Sequence, residues 1–302
     1  MIQEKQKVLD EVSEVGDARA DSLKKIWYDF SRKKLSVMGL VLVVIVVFLA
    51  LLGPYIAPHS RHAGAFVDFP NANQAPSVAH PFGTDNVGRD ILTRVLFALR
   101  PALMMGVIVL GISVPIGTAV GLVAGYWRGT LVEVIIMRVT DIFLAIPPLV
   151  LALAIASVLT PNLRNAMLAI TVMWWPWYAR LVYGVSSSLR NEFFVRSAEL
   201  IGARTGHIII REMLPNCLLP VFTKMTLDMA WVIMISASLS FVGLGEQPPA
   251  PALGSMVADG SKYMPDQWWM TVFPALTIMV IVLSFNLLGD GIRDAFAVGE
   301  ER

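Results

Sequence analysis

From Leu35 to Pro58 the chain runs without a charged residue, and nothing in the sequence constrains its fold more. About 20 apolar residues are enough for a helix to cross about 30 Å of hydrocarbon. In hydrocarbon a helix is the one single-segment structure that satisfies its own backbone. Just before the run, the polar segment 1–36 crowds Lys24, Lys25, Arg32, Lys33 and Lys34 at its mouth. A cleaved signal peptide is the alternative. Its charged leader would be about 35 residues, far longer than usual, and its apolar part also exceeds the usual length. The run is therefore read as a first membrane span over 37–57.

Five further stretches are apolar enough to be read as spans, 101–127, 131–159, 163–184, 217–245 and 267–289, of which the first and last carry no charge. Hydrophobic residues make up 56% of the 302 and charged residues only 16%, against about 25% charged in an ordinary soluble domain. One soluble core cannot hide that apolar excess. The expected fold is all-α and polytopic, with about six transmembrane helices. A net charge of +1 supplies no basic surplus for nucleic acid. A single cysteine, Cys217, excludes an internal disulfide and a cysteine-based zinc site.

Residues 58–100 are polar and rich in Pro, Asn and His. From Asp90 on, Ile91, Leu92, Val95, Leu96 and Leu99 recur at helical spacing. Either a helix lies along the membrane surface here, or it packs on the protein's own bundle. The distribution of basic residues sets the orientation. With a cytoplasmic N-terminus, 16 of the 24 lysines and arginines face the cytoplasm, including Arg128, Arg190, Arg204 and the tail 291–302. Six face outward: Arg61, Arg89, Arg94, Arg100, Arg164 and Lys262. Both termini are expected in the cytoplasm.

Catalytic chemistry is missing. His59, His62, His80 and His207 all fall in loops, and H-E-x-x-H and G-x-S-x-G are both absent. Without a Gly-Lys dipeptide there is no Walker A loop. The chain is expected to be no enzyme, with no catalytic residue, resident metal or cofactor.

The informative segment is the loop 185–216. Phe193, Phe194, Ser197, Ala198, Leu200 and Ile201 can share one side of a short helix, with Arg190, Arg196 and Glu199 on wet faces. Gly202, followed by Ala203, permits the positive-φ reversal that ends a helix. Ile208 to Ile210 carries the chain back, and Pro215 falls where the fifth span is expected to begin. The small Ser197 and Ala198 would let another surface approach closely. A docking knob for a partner and an ordinary interfacial loop covering itself with amphipathic helices both fit these residues.

The segment resembles the cytoplasmic loop of ABC-importer permeases, with its pattern E-A-A, three residues, Gly, nine residues, I-x-L-P. Arg196, Ser197 and Ala198 stand at the E-A-A positions, Gly202 follows after three, and nine more residues lead to Glu212, Met213, Leu214 and Pro215. Arg196, Ser197 and Glu212 depart from the pattern in identity while the spacing is kept. Four more blocks resemble the oligopeptide, dipeptide and nickel permeases. They are HPFGTDNVGRDILTRVLFALR, MRVTDIFLAIPPLVL, SASLSFVGLG and LLGDGIRDAF. The arrangement of the first span and the long outer loop looks like their C-type subunit.

The resemblance implies a type I ABC-importer permease fold with a core over 101–290. It implies import of short peptides across a bacterial inner membrane, with nickel or a nickel chelate as the alternative solute. It also implies a B-type permease, two cytoplasmic ATPases that hold ATP and Mg2+, and a periplasmic or lipid-anchored solute-binding protein. The segment from Arg196 to Pro215 would couple the ATPases to the helices. A homo-oligomeric channel or an ion-driven transporter is the reading from a different class. Isolated charges in hydrocarbon cost about 2.5–3.5 kcal/mol each on insertion scales. Arg138 and Asp141, spaced i and i+3, are expected to pair within the membrane. Lys224 and Asp228, one turn before Trp231, either pair structurally or face the solute path. Trp174, Trp175 and Trp177 suit packing and interface anchoring. Pro147, Pro148 and Pro176 are expected to kink or break their helices.

Overall fold

A computed structural model describes residue 24 and residues 27–300. The remainder of the N-terminal segment, including Lys25, and Arg302 of the tail lie outside the described residues. Helices dominate, and among the described residues the only β feature is an isolated bridge between Thr84 and Asp90. The helices are α1 (Lys34–Ile56), α2 (Ile91–Tyr126), α3 (Leu131–Ala145), α4 (Pro148–Val158), α5 (Leu163–Leu189), α6 (Phe193–Leu200), α7 (Thr205–Phe241), α8 (Leu253–Ser261) and α9 (Trp269–Glu300).

Four of these, α1, α2, α7 and α9, are long and apolar enough to cross a membrane. The expected third span is a broken one. Helices α3 and α4 meet at 90°, and at about 1.5 Å per residue neither crosses alone. Ile146 is extended, as the residue before proline prefers, and Pro148 opens α4. Pro176 lies inside the unbroken α5. Helix α5 has the length of a span, with 27 residues, but its hydropathy is diluted by Tyr, Ser, Asn and two arginines.

The amphipathic stretch after Asp90 does not lie free on a surface. It is the first three turns of α2, continuous through Pro101, and it buries Ile91, Val95, Leu96 and Leu99 in the bundle. The Asp90 carboxylate caps it, accepting from the Thr93 N–H at 2.7 Å.

The densest seam joins α2 to α5. Gly117, Gly121 and Gly125 form a ridge of small residues at a four-residue repeat. A Cβ on Gly121 would sit 2.6 Å from the Ala179 carbonyl oxygen and 2.8 Å from the Val182 Cβ. Such ridges let backbones approach in hydrocarbon, where packing rather than water exclusion drives association.

The four sequence blocks fall at joints of this bundle. In LLGDGIRDAF, Gly291 lies against Ser36, and Asp294 pairs with Lys33 at 2.7 Å, so α9 grips the start of α1. In SASLSFVGLG, Gly243 at φ +87° ends α7. In the outer block, Asp85 accepts from the N–H groups of Val87 and Arg89 and holds the Arg89 side chain at 2.7 Å. The Trp269 indole N–H reaches the Thr84 carbonyl. Helix α8, which packs on α7 and α9, has no counterpart in the sequence reading. Gly254 sets it so close to α7 that a Cβ would overlap the Ala237 carbonyl oxygen at 2.0 Å.

Candidate functional site

Two regions gather the candidate functional side chains: the loop carrying α6, and a groove between α7 and α9.

The α6 loop ends in a Schellman motif. Gly202, at φ +82°, donates its N–H to the Glu199 carbonyl at 2.9 Å, and Ala203 donates to the Ala198 carbonyl at 3.0 Å. No atom lies within 4 Å of a Cβ built on Gly202. Glycine is required there by the backbone alone. Val195 and Ala198 face inward and are buried, while Ser197 is half-buried. Ala198 therefore packs the helix against its own protein, which corrects the expectation that it opens a surface to a partner. What α6 presents outward is apolar: Phe193 is 85% exposed, Leu200 88% and Ile201 85%.

Glu199 and Arg190 are not simply solvated. The Arg190 guanidinium grips Glu199 through two bonds of 2.9 and 3.0 Å, donates to the Tyr126 carbonyl at 3.1 Å and lies 4.9 Å from the Tyr126 ring centre. The Tyr126 hydroxyl donates to Glu199 at 3.1 Å. This strap fixes α6 to the ends of α2 and α5. Arg196 stays exposed and donates to Asn191 at 3.1 Å.

Beyond Ala203 the chain does not wait for Pro215 to begin its helix. Helix α7 starts at Thr205 and passes through a π turn over Ile208–Met213. The Leu214 N–H bonds the Ile209 carbonyl, five residues back. Proline inside a helix lacks an N–H and clashes with the preceding turn. The wider turn lets the helix absorb Pro215 with Leu214 packed against the core.

The groove, about 490 Å3, is lined by Pro220, Lys224, Asp228 and Trp231 of α7 and by Arg293 and Phe296 of α9. Lys224 and Asp228 pair at 2.9 Å, with the Asp228 side chain only 6% exposed. The second Asp228 oxygen accepts from the Trp174 indole N–H at 2.9 Å. The Lys224 ammonium lies over the Trp177 and Tyr178 rings at 5.7 and 5.5 Å. Trp231 stays half out of the protein. Trp174 is the residue missed: its packing role was legible, but its bond to a carboxylate 54 positions away was not.

Arg138 and Asp141 do not pair. Asp141 is held by Arg180 of α5, and Arg138 is exposed with no ion pair among the described residues. An i, i+3 spacing permits a contact on one helix, but the interhelical guanidinium sits closer. Arg180 itself lies on α5, with its side chain about two-fifths exposed.

The sequence pattern of binding-protein-dependent transport system inner membrane components fits residues 117–298, from the middle of α2 to the end of α9. The chain belongs to this family. The N-terminal transmembrane domain of oligopeptide transport permease C fits residues 22–76. The permease is 37% identical over 276 residues to a dipeptide transport system permease protein of Haemophilus influenzae, covering 90% of this chain and 93% of the relative. A dipeptide transport system permease protein of Escherichia coli is 40% identical over 276 residues, with 90% and 92% covered. In fold, the permease matches a chain of the MetNI methionine ABC transporter in an inward-facing conformation. That match has a TM-score of 0.51 and 19% identity, and it covers 69% of this chain and 95% of that one. The permease is thus an inner-membrane component with the type I importer fold. It works with ATPase and solute-binding partners, and ATP hydrolysis resides in the ATPase subunits.

The Asp228 cluster yields a direct test. Removing one partner of a buried ion pair costs about 3–5 kcal/mol, because the other charge is stranded. Asp228→Leu is expected to lower the melting temperature in detergent sharply, and the double variant with Lys224→Met to recover most of it. Uptake stays impaired in the double variant if the groove touches solute. Full transport by the double variant makes the pair purely structural.

Proposed function

We propose that this permease forms half of an import path for short peptides. The observation that carries the reading is end-to-end similarity, at 37–40% identity, to permeases named for dipeptide transport. The groove agrees in chemistry. Lys224, Asp228 and Arg293 beside Trp231 offer both charge signs and an aromatic face, as a zwitterion with variable side chains requires. The other half of the path would be a homologous B-type permease. Two cytoplasmic ATPases holding ATP and Mg2+ would dock on α6 and Gly202, and a periplasmic or lipid-anchored binding protein would deliver solute. Residues 37–57 would span the membrane, 101–290 would form the transmembrane core with its loop 185–216 in the cytoplasm, and 58–100 would lie outside.

In proteoliposomes, the purified chain alone is expected to hydrolyse no ATP. With the B-type permease, both ATPases and the binding protein present, ATP-dependent uptake of a labelled dipeptide is expected. Nickel uptake without dipeptide uptake overturns the peptide reading, and hydrolysis by the lone chain overturns the division of labour.

The proposed sidedness rests on the sixteen-to-six basic asymmetry. Cysteines placed at Ser60 and Lys262 in a Cys217→Ala background should react with an impermeant maleimide in spheroplasts, and one at Thr205 should react only after lysis. External labelling at position 205 reverses the topology.

A further inference from the structure

Three histidines, His59 and His62 on one turn and His80 from farther along the outer segment, converge just after α1. The His59 ring lies 4.9 Å from the His62 ring and 4.8 Å from the His80 ring. His62 in turn stacks on Phe66 at 4.0 Å. Beneath them is Asp90, fully buried at the head of α2, with one carboxylate oxygen 2.9 Å from the His80 Nδ1. One ligand atom each from His59, His80 and Asp90 lies within 4.8 Å of the others.

The hydrogen bonds assign the rings. The His62 Nδ1 accepts the Asp90 backbone N–H at 2.9 Å, so its neutral form carries the proton on Nε2 and has no lone pair left for a ligand. The His59 Nε2 meets the Ala79 carbonyl at 3.1 Å, so that nitrogen carries the proton and Nδ1 keeps its lone pair. Between His80 and Asp90 a single proton bridges a nitrogen and a carboxylate oxygen. Two imidazoles and one carboxylate form a donor set suited to a divalent first-row transition cation.

We propose that His59, His80 and Asp90 bind one zinc ion, which takes the place of the proton between His80 and Asp90, the neutral His80 ring then carrying its one proton on Nε2. Tetrahedral zinc, with bonds of about 2.0–2.1 Å, sets its donors roughly 3.4 Å apart. Rotation of the partly exposed His59 and His80 closes the remaining gap, and a water completes the shell. His62 is a positioning ring that holds His59 by stacking. The ion would staple the end of α1, the outer loop and the cap of α2 together.

The test uses the full chain, purified in detergent through a tag without histidine, stripped with chelator and titrated with Zn2+ against a chromophoric competitor. One zinc per chain is expected, together with a higher melting temperature. His59→Asn and His80→Asn should each weaken binding on the order of 100-fold. Asp90→Asn keeps a good helix cap but should also lose the zinc and its thermal shift. His207→Asn, in the first turn of α7, should bind as the parent does. Absence of stoichiometric zinc, or binding indifferent to His59 and His80, overturns the site.

Discussion

Uptake is expected to fall to background when Leu200 and Ile201 are both replaced by aspartate, with the chain still reaching the membrane in normal amount. Both side chains stand almost wholly outside the protein at the tip of α6, so removing them costs the bundle little. Burying a leucine or isoleucine side chain completely is worth about 1.5–3 kcal/mol. The pair of charges should weaken ATPase co-purification on the order of 100-fold or more. Gly202→Val tests the same element through its backbone. A Cβ there has room, so the cost is the positive φ alone, about 1–2 kcal/mol, and Gly202→Asn should retain partial uptake because asparagine tolerates that conformation. Ser187→Ala is the control, since its hydroxyl bonds only to the Gly184 carbonyl of its own helix. If the double aspartate variant inserts, keeps its ATPases and transports at the parental rate, α6 is not where the ATPases dock.

Gly121→Leu is expected to destroy the bundle. Backbone atoms of α5 occupy the space that a side chain would need, and neither helix can yield without unzipping the seam. Overpacking penalties reach about 3 kcal/mol where a side chain can still be accommodated, and here contact with backbone forces the helices apart. The variant should be degraded in cells or elute as aggregate in size-exclusion chromatography. Gly111→Leu makes the same change on the same helix, at a position with no atom within 4 Å, and should be monodisperse. Equal behaviour of the two would mean that the α2–α5 seam does not hold the fold.

Hydropathy was enough to read most of the membrane segments, because uncharged runs have one physical solution in a bilayer. It failed where that signal is diluted or interrupted. Helix α8 is too short to show, and the bend at Ile146 was foreshadowed only by Pro147 and Pro148. The loop motif located Gly202 to the residue, since a helix reversal needs glycine for a local reason. It could not say that Ala198 points inward and Leu200 outward, because on eight residues an amphipathic pattern has too few turns to define one face. Pairings across helices were out of reach. Asp141 had a candidate partner three residues away and another 39 away, and only packing favours the distant Arg180. The histidines read by sequence as scattered loop residues, yet loops that fold back bring separate positions together.

The π turn over Ile208–Met213 has a geometric effect on everything that precedes it. One surplus residue in an α-helical path rotates the upstream segment by about 100° about the axis relative to an uninterrupted helix. Ile208 and Met213, five positions apart, thereby come to the same side, and both are buried. The loop and the membrane portion of α7 are thus set out of phase by a single hydrogen-bond register. Reverting that register to i→i+4 would swing Gly202 and the tip of α6 around the α7 axis while the helix below stood still. A torsional step is therefore available at the junction between loop and membrane.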